Sequence, residues 1–171
     1  MFAKILVALD NSEMSQIIFD QAVFLAKAIK AEITLLHILS PLEDPYINPI
    51  FLQADALYPA ANTEAMNAYM KVWDEMKETR LNWLKSLTQE AVNLGINAQY
   101  IQSVGDAGRI ICETSRNLPA DLIIIGRRGR TGFSELFLGS VSNYVLHHAP
   151  CSVLTVQGVI SQSQDLPIAS A

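Results

Sequence analysis

Ile5-Leu6-Val7-Ala8-Leu9 is an unbroken apolar run, halted at once by Asp10-Asn11-Ser12. Five apolar residues without a polar alternate suit a strand covered on both faces, as in a parallel sheet flanked by helices. Outward from that run the period changes. Ile18, Ala22, Leu25, Ala26 and Ile29 share one helical face between Ser12 and Lys30, with Ser12 expected as the N-cap. Ile33-Thr34-Leu35-Leu36-His37-Ile38-Leu39 then reads as a second buried strand, ended by Ser40-Pro41.

Residues 40–62 carry Pro41, Pro45, Pro49 and Pro59 and are expected to be irregular, with Ile50, Phe51 and Leu52 available to dock elsewhere. Helical spacing returns from Thr63 to Leu94, where Met66, Tyr69, Trp73, Met76, Leu84, Leu87, Ala91 and Leu94 fall near one face. Gly95 supplies the stop, and the length leaves room for a bend or break near Arg80. Ala98 to Val104 forms a weaker, alternating third strand. A short helix starts at Gly105-Asp106 and ends at Pro119; the fourth strand, Leu122 to Ile125, stops at Gly126. A helix from Ser140 to His148 and a fifth strand from Cys151 to Val156 close the pattern. Alternating strands and helices require a parallel sheet with helices on both faces. Ligands of such sheets sit beyond the carboxyl ends of the strands, where the strand order reverses. Residues 1–156 are expected to form one domain and residues 157–171 a polar tail.

The chain of 171 residues is half hydrophobic and 17% charged, enough apolar material for one buried core. Its net charge of −5 has the wrong sign for bulk attraction to nucleic acid or an anionic membrane, so neither is expected as a partner. Any anion must be held by a local basic feature. Cys112 and Cys151 fit neither a zinc site nor a redox pair. The apolar run near the start is too short for a signal-peptide core, and no stretch approaches the ~20 residues needed to span a bilayer. The expectation is a soluble cytoplasmic protein.

One stretch meets the need for a local basic feature: Gly126-Arg127-Arg128-Gly129-Arg130-Thr131-Gly132-Phe133-Ser134-Glu135-Leu136-Phe137-Leu138-Gly139-Ser140. Gly126 and Gly129 let backbone N–H groups turn toward an anion with no Cβ in the way. Gly139-Ser140 opens a helix, whose free N–H groups and positive dipole end favour a phosphate. Arg127, Arg128 and Arg130 are half of the arginines in the chain, and arginine binds phosphate strongly and directionally. A lone Gly-x-x-Gly usually marks a turn, and Gly105-Asp106-Ala107-Gly108 is read only as the start of a helix. The full Gly-x2-Gly-x9-Gly-Ser spacing between a strand and a helix is far more specific. It is neither a Walker loop nor the dinucleotide fingerprint.

With these residues the sequence resembles the nucleotide-binding subgroup of the universal stress protein family, whose hallmark is this glycine spacing. The likeness also takes in Ile5 to Asp10, Leu36-His37-Ile38, Ala120 to Gly126 and Ala149-Pro150-Cys151-Ser152-Val153-Leu154. It implies an open, Rossmann-like, five-stranded parallel α/β sheet of order 3-2-1-4-5, with strands one and four adjacent. It further implies an adenine nucleotide, ATP or another adenylate, with or without Mg2+. By the same likeness Asp10 lies by the ribose, and Ile38 meets adenine through its backbone. Gly126, Gly129 and Arg130 line the phosphates, closed by Gly139, Ser140 and Val141. Ala8 stands where some members have proline, and Arg127-Arg128 replace smaller or histidine-containing pairs; with Thr131 they complete the candidate nucleotide contacts. A homodimer through the last strand, Cys151 to Val156, is implied as well.

From the residues themselves, Asp10 suits a sugar hydroxyl or a water-mediated magnesium contact, or else serves as a favourable charge at a helix start. His37 reads as a satisfied core histidine, and His147 and His148 as cations complementing a helix end. Ser140 and Ser142 lack a nucleophile elbow. Trp73, Trp83 and the methionines read first as core and second as a partner surface. No residue is assigned a catalytic or metal-binding role, and slow ATP hydrolysis is the most enzymatic reading. The expected function is an ATP-binding regulatory or protective protein of the stress response. The alternative is a nucleotide-independent interaction module using residues 40–62.

Overall fold

The computed structural model describes residues 2–40, 59–127 and 138–157, with side chains in the long helix from residue 66 onward. Its elements are β1 (Lys4–Leu9), α1 (Met14–Ile29), β2 (Glu32–Leu39), α2 (Pro59–Asn93), β3 (Ala98–Val104), α3 (Ala107–Asn117), β4 (Leu122–Gly126), α4 (Ser140–His148) and β5 (Ser152–Val156). The strands are all parallel, in the order β3-β2-β1-β4-β5. This is the open Rossmann-like sheet expected. The chain grows one way from β1 through β2 to β3, then returns to the other side of β1 for β4 and β5. The order therefore reverses between β1 and β4.

Alternation along each strand divides the core in two. Ile5, Val7 and Leu9 of β1 join Ile33, Leu35, Leu122 and Ile124 beneath α1 and α2, where Ile18, Phe19, Leu84, Leu87 and Ala91 cover them. Leu6 and Ala8 join Leu36, Ile123 and Ile125 on the opposite face, under Ile111 and Cys112 of α3 and Val145 of α4. A fully buried side chain of this size contributes about 1.5–3 kcal/mol. Central strands are thus buried at nearly every position, the polar Thr34 and His37 of β2 included. The outer strand β5 alternates instead, whereas β3, expected to alternate, has no fully buried position and no regular period.

Four local expectations are revised. Helix α1 begins at Met14, and the N-cap position is Glu13, with no side-chain cap. Ser12 is drawn away from that role because its hydroxyl bonds the Asp10 carboxylate at 2.6 Å, and a charged acceptor outcompetes a backbone amide. Helix α2 starts at Pro59, inside the stretch expected to be irregular; proline is tolerated in a first turn, where no N–H is needed. It also runs unbroken past Arg80. At ~1.5 Å per residue its 35 residues span about 50 Å, twice the length of an eight-residue strand. Only Leu84, Leu87 and Ala91 of its apolar stripe are buried, while Met66 and Leu94 lie exposed toward its two ends. Gly108, read only as part of a helix start, also has a packing role. A Cβ there would come within 2.8 Å of the Tyr144 ring, so its absence lets α3 and α4 close on each other.

The amino edge of the sheet is tied by Asp121, whose Oδ2 accepts the N–H groups of Ala3 at 2.8 Å and Lys4 at 2.9 Å. Those bonds, Ala3's first, hold its carboxyl below the ordinary carboxylate value. A lowered folded-state pKa means stability present at neutral pH and lost as pH falls through that value. Asp121→Ala is expected to melt below the wild type at pH 7, with the gap closing below about pH 4; thermal unfolding across pH 2–7 measures it.

Candidate functional site

Ala8 of β1 is level with Ile125 of β4, so the residues that follow each strand emerge side by side at the carboxyl edge. On the other flank Leu9 is level with His37 of β2, which sets Asp10 beside Ile38. Asp10 Oδ1 accepts three hydrogen bonds, from Ser12 N–H at 3.0 Å, Ser12 Oγ at 2.6 Å and Ser15 Oγ at 3.1 Å. Asn11 makes this turn with a left-handed φ of 61°, a conformation asparagine adopts readily. The second carboxylate oxygen, Oδ2, is buried and has no hydrogen-bond partner among the described residues. A buried polar atom of this kind calls for a donor, since leaving it unmet costs about 1–3 kcal/mol.

The β1 terminus is held from β2. His37 is buried and donates Nδ1–H to the Leu9 carbonyl at 2.8 Å, with its ring edge-on to Trp83 of α2 at 5.5 Å. It is the core histidine expected. The β4 terminus is held more elaborately. Arg127 N–H donates to the Val156 carbonyl of β5 at 2.7 Å, and the Arg127 carbonyl accepts Gly139 N–H at 3.0 Å. Ser142 Oγ lies 2.8 Å from that same carbonyl. The start of α4 is thereby bonded to the end of β4. Among the described residues no side chain caps α4 and no acidic residue stands in its first turn, so they set no counter-charge at its positive end.

Of the candidate residues, Ala8, Asp10, Ile38, Gly126, Arg127, Gly139, Ser140 and Val141 lie at this edge or in the first turn of α4. Ala8 is buried, Ile38 and Val141 are half-buried against the second core, and Ser140 is exposed. Arg128, Gly129, Arg130 and Thr131 lie outside the described residues, as do residues 41–58 of the proline-rich stretch. Two residues that hold this edge in place were passed over in that role by sequence reasoning: Ser15, which bonds Asp10, and Ser142, which bonds the Arg127 carbonyl. Each falls at helical spacing among buried apolar neighbours, Ser15 with Ile18, Phe19 and Ala22, and Ser142 with Val145. A hydroxyl on an otherwise apolar helix face is a signal that could have found both.

Neither cysteine is set up as a nucleophile. Burial pushes the Cys112 and Cys151 thiols up from their ordinary value, which disfavours the reactive thiolate. His148 stacks on Tyr144 at 4.0 Å, its Nδ1 bonds the Tyr144 carbonyl, and its own carbonyl accepts from Arg116. No group of three or more His, Cys, Asp or Glu among the described residues could hold a metal ion. No helix among them is long and apolar enough to cross a membrane.

A sequence model described as the universal stress protein family matches residues 1–157. The chain belongs to that family. Universal stress protein Sll1388 of Synechocystis is 34% identical over 160 residues, covering 91% of this chain and 98% of the relative. Hypothetical protein MJ0577 has a similar fold, with a TM-score of 0.75 at 23% identity, over 94% of this chain and 99% of that one. A universal stress protein family member of Arabidopsis thaliana, At3g01520, was solved with AMP bound; it matches with a TM-score of 0.59 at 16% identity, over 94% of each chain.

Asp10 therefore has a structural load besides any ligand. Asp10→Ala strands the hydroxyl of Ser15, itself only 2% exposed, and a buried donor left unpaired costs about 1–3 kcal/mol. Urea unfolding is expected to register a loss of that size without any ligand, while Asp10→Asn, which keeps an acceptor, loses less.

Proposed function

We propose that this protein binds an adenine nucleotide, with ATP the expected occupant, at the carboxyl edge of β1 and β4. Through it the protein acts as a nucleotide-responsive regulatory or protective protein of the stress response in the cytoplasm. The observation that carries this reading is the Arg127 carbonyl, which bonds Gly139 N–H at 3.0 Å and so brings the two ends of the glycine spacing together at the strand-order reversal. Phosphates would then meet the uncapped first turn of α4 and the amides and guanidinium groups of Gly126 to Thr131, with Gly139, Ser140 and Val141 closing the site. The unpartnered Oδ2 of Asp10 suits a ribose hydroxyl as donor. Ala8 and the backbone of Ile38 flank the sugar and base. The AMP bound to the Arabidopsis relative supports the ligand class. Any magnesium would arrive with the triphosphate, since the described residues offer no cluster to hold it unaided.

The same reading includes a homodimer through β5. Among the described residues β5 pairs with β4 alone, and its outward positions include Leu154, 40% exposed. An open apolar edge strand invites pairing, and a second copy of the same strand satisfies it symmetrically.

Two outcomes test these statements. Gly129→Val places branched carbon where phosphate passes; calorimetric titration is expected to show ATP binding to the wild type and none to the variant, with melting in the absence of nucleotide little changed. Bound nucleotide should raise wild-type stability by about 2.7 kcal/mol at a hundredfold excess over its Kd, and equal affinities would remove the glycine loop from the site. For the dimer, Leu154→Lys is expected to shift the sedimentation-derived mass from two chains to one; an unchanged mass would move the interface elsewhere.

A further inference from the structure

We infer that Ser142 is a positioning residue for the phosphate end of this site, an inference that rests on the nucleotide reading above. Serine in a helix commonly donates to a carbonyl three or four residues back, and Ser142 Oγ does lie 2.9 Å from the Gly139 carbonyl. It lies closer, at 2.8 Å, to the carbonyl of Arg127, fifteen positions away on the end of β4. A hydroxyl has one proton, so the two carbonyls share it, one on each flank of the glycine-rich segment. The Arg127 carbonyl also accepts Gly139 N–H, so both of its lone pairs are engaged. Ser142 is 2% exposed, so its bonds are shielded from bulk water.

This arrangement sets the spacing between the end of β4 and the first turn of α4. The N–H groups of Ser140 and Val141 have no acceptor inside their helix. They can serve an anion only from wherever the helix start is held. A start fixed before the ligand arrives lowers the ordering cost of binding. Ser142 itself touches no ligand; it acts through Arg127 and Gly139. Its effect should therefore appear for phosphate-bearing ligands and be absent for the nucleoside. The core contact of Val145 and the close approach of Tyr144 to Gly108 do not involve the hydroxyl, so the fold should survive its loss.

The test is titration of ATP and adenosine against wild type, Ser142→Ala and Ser142→Thr, with melting of each protein alone. Expected are about tenfold weaker ATP binding in Ser142→Ala, adenosine affinity unchanged, and recovery of most ATP affinity in Ser142→Thr, which keeps the hydroxyl. Equal ATP affinity in wild type and Ser142→Ala would overturn the inference while leaving the nucleotide reading intact. So would a parallel loss of ATP and adenosine binding, or a Ser142→Ala protein unfolded at 25 °C, since either makes the hydroxyl a general structural group. A wild type that binds no adenine nucleotide would instead overturn the reading on which the inference stands.

Discussion

A strand at the centre of a parallel sheet has neighbours on both edges and helices on both faces, so it can present chemistry only at its ends. β1 meets that constraint in full. Ile5 to Leu9 are all buried, and the strand pairs with β2 on one side and β4 on the other. Its side chains feed two separate cores, three to one face and two to the other. No position along it can hold a ligand without opening one of those cores. What remains is Asp10, the first residue past the carboxyl end, and the return of the chain to β4 makes the residues after Gly126 its neighbours. The location of the candidate site is a consequence of burial before it is a matter of particular functional groups.

Strand ends carry a cost of their own, because the last carbonyl loses its ladder partner just where the chain leaves the sheet. β1, and the chain one residue past β4, meet it in the same way, with a buried polar side chain from another element. The Leu9 carbonyl takes Nδ1–H of His37 from β2, and the Arg127 carbonyl takes the Ser142 hydroxyl from α4. Each bond also fixes a direction. The first sets how the chain turns into Asp10 and Asn11; the second sets where α4 begins. Stabilising the sheet and shaping its edge are here one set of contacts.

The parts of the fold governed by two-sided burial were legible in the sequence. β1 and β4 announce themselves as unbroken apolar runs stopped at Asp10 and Gly126, and β2 as a largely apolar run stopped at Ser40-Pro41. Strand order was not legible from periodicity, which says nothing about which strands pair; the family likeness supplied it. Boundaries failed where a local competitor intervened. Ser12 has the right type for a cap, but its hydroxyl is claimed by a carboxylate two residues earlier. Pro59 looks like a breaker but is harmless in a first turn. In the candidate site the glycine spacing was legible because it depends on residue type. The joint at Arg127 was not, since its acceptor is a main-chain carbonyl that every residue possesses.

The charge of the chain bears on what kind of anion such an edge could take. A net charge of −5 repels extended polyanions, whose many phosphates lie within reach of the protein's mean field. At physiological salt that field is screened beyond about 8 Å, so a small anion inside the edge experiences mainly its immediate donors. Helix-start amides of α4, which has no capping side chain among the described residues and no acid in its first turn, act over that short distance. On the reading proposed above, so would the arginines that the sequence places just after β4. On the nucleotide reading proposed above, a net-acidic chain with a short-range basic cradle would separate ligands by size: a single nucleotide would feel the cradle, and a nucleic acid the whole molecule.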